Sequence, residues 1–292
     1  MTPADKFVTV YEVGPRDGLQ NEPVNVPTAQ KIVLIDALSK TGLHKIEAAS
    51  FVSPKWVPQM ADAAEVMAGI TRQDGVNYAA LTPNMRGLEA ALAAKADEVA
   101  IFGSASEGFS QKNINCSIEE SLKRFAPVAK AALNNGVILR GYVSCVVECP
   151  YDGPISPTEV AYIAEAFLDL GCTEISLGDT IGKAAPNDIK RLLDHLCKTI
   201  PAAKLAGHYH DTNGNALANV AASLPYGLRC FDSAIGGSGG CPYAPGAKGN
   251  LSTVPLVEML HNEGWKTGVD LEKLRLAEVY LKTLIPDQKE GA

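Results

Sequence analysis

Short β-branched runs alternate with longer helical patterns about eight times along the 292-residue chain, and few folds accommodate that rhythm. Strands are predicted over 8–13, 45–49, 77–81, 98–102, 138–145, 174–177, 204–208 and 230–235. Helical periodicity fills the intervals at 28–40, 85–96, 118–134, 159–170 and 187–199, and another helical pattern begins near Leu251. The strand bodies are apolar on both faces, as expected of strands covered on both sides. Parallel neighbours need a crossover of a dozen or more residues, which a helix supplies.

Gly recurs where a helical pattern hands over to the next strand, at Gly42, Gly136, Gly171 and Gly227. A glycine adopts the left-handed conformation that closes a helix at little steric cost. Helix starts are marked as well. Ser117 with Glu120 has the capping-box spacing, and Pro157 after Ser156 suits the first helical position. Eight such units in about 260 residues predict an α/β fold, a (β/α)8 TIM barrel, rather than an open doubly wound sheet. The doubly wound alternative lacks a G-x-G-x-x-G after the first strand. With no linker-like tract, residues 1–292 read as one domain, the barrel over about 8–260 and a short C-terminal helical extension over about 261–292.

Composition narrows the functional classes. A formal net charge of −7 without a basic block argues against nucleic-acid binding, which needs clustered Lys and Arg. No window approaches the roughly 18 apolar residues of a membrane span. Seven scattered cysteines, mostly in apolar runs, read as reduced thiols rather than a disulfide frame. The N-terminal segment lacks the pattern of a leader, so a cytoplasmic location is expected.

The active site of such a barrel lies at the C-terminal strand ends, and there the charged residue types gather. Strand one leads into Gly14-Pro-Arg16-Asp17-Gly-Leu-Gln20, strand two carries Glu47, strand six ends near Asp179, and strand seven gives His208-Tyr-His210. Residues two apart on a strand share a face, so His208 and His210 have ligand spacing for one metal. Asp17 can add a carboxylate and Asn250 a carbonyl oxygen, a set that suits octahedral Mg²⁺ or Mn²⁺ better than closed zinc. Arg16 is either an ion-pair partner of Asp17 or a fixed cation for a developing enolate, and Glu47 and Asp179 are candidate partners for it.

Strand eight opens into residues 234–250, where six glycines, two prolines and one cysteine stand in seventeen positions. Such a stretch is neither helix nor regular strand, and a long loop in a compact chain is usually functional. Gly239, Gly240 and Pro242 flank Cys241, whose polar setting differs from that of a core thiol. It is a candidate proton donor or nucleophile.

Several stretches resemble 3-hydroxy-3-methylglutaryl-CoA lyases: Gly14 to Glu22, Ser50 to Met60, Lys112 to Glu120, Arg140 to Cys145, Ile175 to Gly182 and Gly239 to Tyr243. The resemblance runs from about Val8 to Leu274. It implies a divalent-metal TIM-barrel lyase, active as an acyl-CoA enzyme and commonly a homodimer, without an organic cofactor. It would cleave 3-hydroxy-3-methylglutaryl-CoA to acetyl-CoA and acetoacetate, as in leucine breakdown. Asp17, His208, His210 and Asn250 would hold the metal. Arg16 would stabilise the enolate, Cys241 would protonate it, Asp17 or His208 would take the hydroxyl proton, and Glu47 and Asp179 would support the site.

The sequence departs from the pattern at Val254, where an acidic residue is usual, and at Pro23, where a lysine is usual; both changes are expected to touch the substrate pocket. Two related readings follow. One is a lyase for another 3-hydroxy-3-substituted acyl-CoA, such as citramalyl-CoA or an isoprenoid-derived homologue. The other is a Claisen-type acyl-CoA synthase, which usually carries a further domain. A barrel that binds a CoA ester without turning it over is the non-enzymatic alternative, and it is expected to lose metal ligands.

Overall fold

A computed structural model of the chain describes residues 6–239 and 249–285. Eight parallel strands close into a barrel: β1 Thr9–Glu12, β2 Lys45–Ser50, β3 Asn77–Leu81, β4 Glu98–Ser104, β5 Ile138–Ser144, β6 Glu174–Asp179, β7 Leu205–Tyr209 and β8 Cys230–Ser233. Sequential strands are neighbours around the ring, and β8 closes it on β1 with Thr9 opposite Cys230 and Glu12 opposite Ser233. Crossover helices lie outside: α1 Thr28–Ser39, α2 Ala63–Gly69, α3 Met85–Ala93, α4 Glu107–Ile114, α5 Ile118–Asn134, α6 Pro157–Asp169, α7 Pro186–Leu196, α8 Ala216–Ser223 and α9 Thr253–Asn262.

Each predicted strand falls on a barrel strand, with ends shifted by a few residues. The strand-eight prediction runs too long because the backbone turns at Gly236, whose φ is +66°. The short helices α2, α4 and α8 were not resolved from periodicity, which needs more than about two turns to declare itself. The handover glycines behave as their chemistry requires: Gly42, Gly136, Gly171 and Gly227 have φ of +90°, +69°, +100° and +100°. Ser156 forms the reciprocal capping box with Glu159 behind Pro157. At Ser117 the structure shows one half of the box, its hydroxyl accepting from the Glu120 amide at 3.1 Å.

The main apolar cluster fills the layer between strands and helices, with Val99, Val143, Ile163, Phe167 and Leu192 among its buried members. The barrel interior is different. Arg140 of β5, fully buried, donates to Glu174 at 2.8 Å and to both oxygens of Asp232 at 3.0 and 2.7 Å. Its guanidinium lies between the rings of Tyr11 and Tyr142, at 4.1 and 4.8 Å. Lys45 reaches Glu98 at 3.2 Å and Glu174 at 3.5 Å. Such a network adds little net stability, yet losing one partner strands a buried charge at a cost of about 3–5 kcal/mol.

Beyond α9, residues 264–270 run past the start of β1, where the Val8 amide donates to the Lys266 carbonyl at 2.8 Å. Asp270 then caps α10, Leu271–Leu284, accepting from the Glu272 and Lys273 amides at 3.0 and 3.2 Å. This helix packs on α1 and on the turn after β8. Among the described residues, no helix is long and apolar enough to cross a membrane.

Candidate active site

The chain leaves β1 in a single wide turn, Gly14–Gly18, in which the Val13 carbonyl accepts from the amides of Arg16, Asp17 and Gly18 at 3.1, 2.7 and 3.2 Å. Glu12 anchors that turn from below. One carboxyl oxygen accepts from the Gly14 and Ile235 amides, both at 2.8 Å, and the other from the Thr253 hydroxyl at 2.7 Å. Burial pushes the Glu12 carboxyl up to about 7, against the pull of those three hydrogen bonds.

Arg16 and Asp17 are thereby set at the mouth of the barrel. The Arg16 guanidinium, 5% exposed, donates to Glu47 Oε2 from Nε and Nη2 at 2.5 Å and to Asp17 Oδ1 from Nη1 at 2.6 Å. Burial disfavours its charge, but Glu47 and Asp17 more than offset that and hold it firmly protonated. Glu47 also accepts from the Tyr142 hydroxyl at 3.2 Å. Burial raises the Glu47 carboxyl above the ordinary range even with Arg16 drawing it down. Asp17 moves the other way: burial raises it, while Arg16 and the two histidines lower it further, so it is held as a carboxylate.

The two histidines meet Asp17 from β7, which only β8 separates from β1 around the ring. β7 ends at Tyr209, and a short bridge between His210 and Asn250 carries the strand geometry one step further. The Asp211 amide donates to the Gly249 carbonyl at 2.7 Å, and the Leu251 amide to the Tyr209 carbonyl at 3.2 Å. That antiparallel step places Asn250 beside Asp17, with Nδ2 donating to Asp17 Oδ2 at 2.9 Å and to the Ser238 carbonyl at 3.2 Å. His208 Nε2 lies 3.3 Å from His210 Nε2 and 4.0 Å from Asp17 Oδ2. One donor atom each from Asp17, His208 and His210 lies within 4.8 Å of the others.

This donor set fits a divalent cation. Two imidazole nitrogens converge on a carboxylate oxygen, and two bare nitrogens at 3.3 Å repel unless a proton or a cation lies between them. His210 Nδ1 is buried with no hydrogen-bond partner, and burial, then His208, lower the His210 imidazole to about 4 despite Asp17, favouring the neutral ligand form. As placed, Asn250 turns its amide nitrogen toward Asp17, so presenting its oxygen to a metal requires the amide to rotate. Mixed nitrogen and oxygen donors of this kind suit Mg²⁺, Mn²⁺ or Zn²⁺.

Asp179 corrects one expectation. It makes no ion pair with Arg16; its oxygens accept from the backbone amides of Lys183 at 3.2 Å and Ala184 at 3.0 Å, closing the turn after β6. Burial lifts its carboxyl to about 6. Val254 is buried in the main apolar cluster from the first turn of α9, and Pro23 is exposed in the loop after β1. Gly239 lies against the site with φ +86°, where an added Cβ would meet Asn250 Nδ2, the Asp17 carbonyl and Gly18 Cα, all at 3.0 Å. Gly240, Cys241 and Pro242 lie outside the described residues.

Four side chains close to this cluster escaped sequence reasoning: Asp232, Arg140, Ser176 and Tyr142. Asp232 stands opposite His208 in the β7–β8 register and accepts from His208 Nδ1 at 3.1 Å and from Ser176 at 2.7 Å. Burial raises its carboxyl, but Arg140 and His208 pull it well below the usual carboxylate range. The available signal was a charge of each sign interrupting two apolar strand bodies.

Known proteins resemble this chain over nearly its whole length. The chain is 56% identical over 276 residues to the mitochondrial hydroxymethylglutaryl-CoA lyase of Bos taurus, covering 94% of this chain and 85% of that protein. It is 54% identical over 269 residues to the Pseudomonas aeruginosa 3-hydroxy-3-isohexenylglutaryl-CoA/hydroxy-methylglutaryl-CoA lyase, covering 92% of this chain and 90% of that one. The crystal structure of the HMG-CoA lyase from Brucella melitensis superposes with a TM-score of 0.95 at 59% identity, covering 97% of this chain and all of that one. With residues 8–280 matching throughout, the chain belongs to the HMGL-like family.

Proposed function

We propose that this chain is a hydroxymethylglutaryl-CoA lyase, dependent on a divalent cation, that cleaves 3-hydroxy-3-methylglutaryl-CoA to acetyl-CoA and acetoacetate. The observation that carries the reading is the convergence of Asp17, His208 and His210 beside the buried Arg16. Asp17, His208, His210 and Asn250 would hold the cation, Mg²⁺ or Mn²⁺. When bound, that cation supplies Lewis-acid polarisation of a substrate oxygen.

Cleavage removes the proton of the tertiary hydroxyl, breaks the bond between C2 and C3, and leaves the electron pair on C2 as an enolate. The hydroxyl carbon becomes the ketone of acetoacetate. Asp17 or His208 receives the hydroxyl proton. Arg16, locked between Glu47 and Asp17, meets negative charge that exists only once the bond is breaking, so it lowers the barrier rather than merely tightening binding. Cys241 returns a proton to C2, which completes acetyl-CoA. Asp179 supports the site by closing the turn after β6.

A second substrate is favoured by a specific observation: the Pseudomonas aeruginosa relative is named for an isohexenyl homologue as well. We therefore include a longer 3-substituent within the range this chain can accept. The protein works as a cytoplasmic homodimer in this reading. The test is acetyl-CoA release, the product common to all three, from 3-hydroxy-3-methylglutaryl-CoA beside citramalyl-CoA and the isohexenyl homologue, with Mn²⁺ and with chelator. Turnover of citramalyl-CoA alone keeps the mechanism and reassigns the substrate.

A further inference from the structure

We propose that Asp232, clamped by Arg140, is a positioning residue that fixes His208 as the Nδ1–H tautomer and so keeps its Nε2 lone pair aimed at the cation site. The inference rests on the divalent-metal reading above. Its basis is a saturated hydrogen-bond inventory. Asp232 Oδ2 accepts from Arg140 Nη1 at 3.0 Å, from Ser176 Oγ at 2.7 Å and from His208 Nδ1 at 3.1 Å, while Oδ1 takes Arg140 Nη2 at 2.7 Å. A carboxylate paired with a guanidinium at both oxygens has no proton to donate. His208 Nδ1 must therefore be the donor, which leaves Nε2 bare whenever the ring is neutral.

Burial makes this arrangement stiff. Asp232 is 2% exposed and Arg140 and Ser176 are fully buried, so no water can replace any member of the network without rebuilding the barrel interior. The parallel register that puts Asp232 opposite His208 fixes the distance through the sheet itself. His210 has no equivalent, since its Nδ1 lacks a partner. The two histidines thus enter the site unequally prepared, with His208 preset and His210 free to choose its tautomer. Carboxylates that orient ligand histidines in this way change metal affinity by about 10- to 100-fold when removed.

The experiment uses the full-length protein labelled with ¹⁵N at its five histidines. Two-bond ¹H–¹⁵N correlations separate protonated from bare ring nitrogens, and the His208 signal is assigned by its loss in His208→Asn. The wild type is expected to show His208 as the Nδ1–H form both before and after Mg²⁺ addition. Asp232→Asn is expected to lose that preference before Mg²⁺ addition and to bind Mn²⁺ about 10- to 100-fold more weakly by electron paramagnetic resonance. A wild-type His208 in the Nε2–H form before Mg²⁺ addition overturns the inference whether or not Asp232→Asn folds. So does a folded Asp232→Asn with wild-type Mn²⁺ affinity. A wild type that takes up no Mn²⁺ sinks the metal reading instead, and the tautomer signal still decides the role of Asp232.

Discussion

Replacing Arg16 with Gln separates its two readings, structural ion pair and transition-state cation. The substitution removes a guanidinium that donates to Glu47 at 2.5 Å and to Asp17 at 2.6 Å. It leaves Glu47, fully buried, with the Tyr142 hydroxyl as its remaining hydrogen-bond donor. Stranding a buried charge costs about 3–5 kcal/mol. Glu47 can escape part of that by taking a proton, because burial already raises its carboxyl. The net stability loss should therefore fall below that range, about 1–3 kcal/mol. The kinetic effect is separate. A donor aimed at charge that develops in the transition state is worth about 3–4 kcal/mol, or roughly 10²- to 10³-fold in kcat. Acetoacetate release at saturating substrate and Mn²⁺ measures kcat, and thermal melting measures the fold. Arg16→Gln is expected to lower kcat by that factor while KM stays within a few-fold. A folded variant with kcat within threefold of wild type would refute the role given to Arg16 and leave it a strut for Glu47.

Further outcomes follow from the same geometry. The Glu12 carboxyl, raised from an ordinary 4.5 to about 7, stabilises the fold fully below about pH 4.5, and that contribution is lost as pH rises to 7. The shift corresponds to about 3 kcal/mol. Glu12→Gln keeps an acceptor for the Gly14 and Ile235 amides, so its melting temperature should close on or pass the wild type as pH goes from 4.5 to 7.5. A constant gap across that window contradicts the shift. Gly239→Ala forces a Cβ into a +86° φ and within 3.0 Å of Asn250 and Asp17, so Mn²⁺ affinity should fall with a stability loss of about 1–3 kcal/mol. Unchanged Mn²⁺ titrations would show that the Gly239 backbone does not shape the site. Mn²⁺ at 100 times its Kd should stabilise the fold by about 2.7 kcal/mol through linkage, read as a rise in melting temperature. His210→Asn should abolish that rise, and a rise that survives would move the metal elsewhere.

Much of this architecture is legible in the sequence because parallel barrels repeat one local decision. Each apolar strand, each helix and each closing glycine at 42, 136, 171 and 227 is set by nearby residues, and the ring follows once eight such units must share one core. His208 and His210 are readable for the same reason, since a two-residue spacing on a strand fixes a common face. What stays hidden is partnership across the barrel. Nothing local to Asp179 reveals that its oxygens close a turn instead of meeting Arg16. Val254, where the resemblance implies an acidic residue, is buried among apolar neighbours by the first turn of α9, a packing partnership that no local signal announces. The pairing of Asp232 with Arg140, 92 positions apart, exists only through the shared register of the closed sheet.

The most direct measurement is acetoacetate release from 3-hydroxy-3-methylglutaryl-CoA by the purified protein with Mn²⁺, then with excess chelator, then with Mn²⁺ restored. The site built from Asp17, His208 and His210 predicts turnover that disappears on chelation and returns on restoration. A protein that binds one Mn²⁺ per chain and releases no acetoacetate would contradict the assignment, and turnover indifferent to chelation would contradict the metal's part in it.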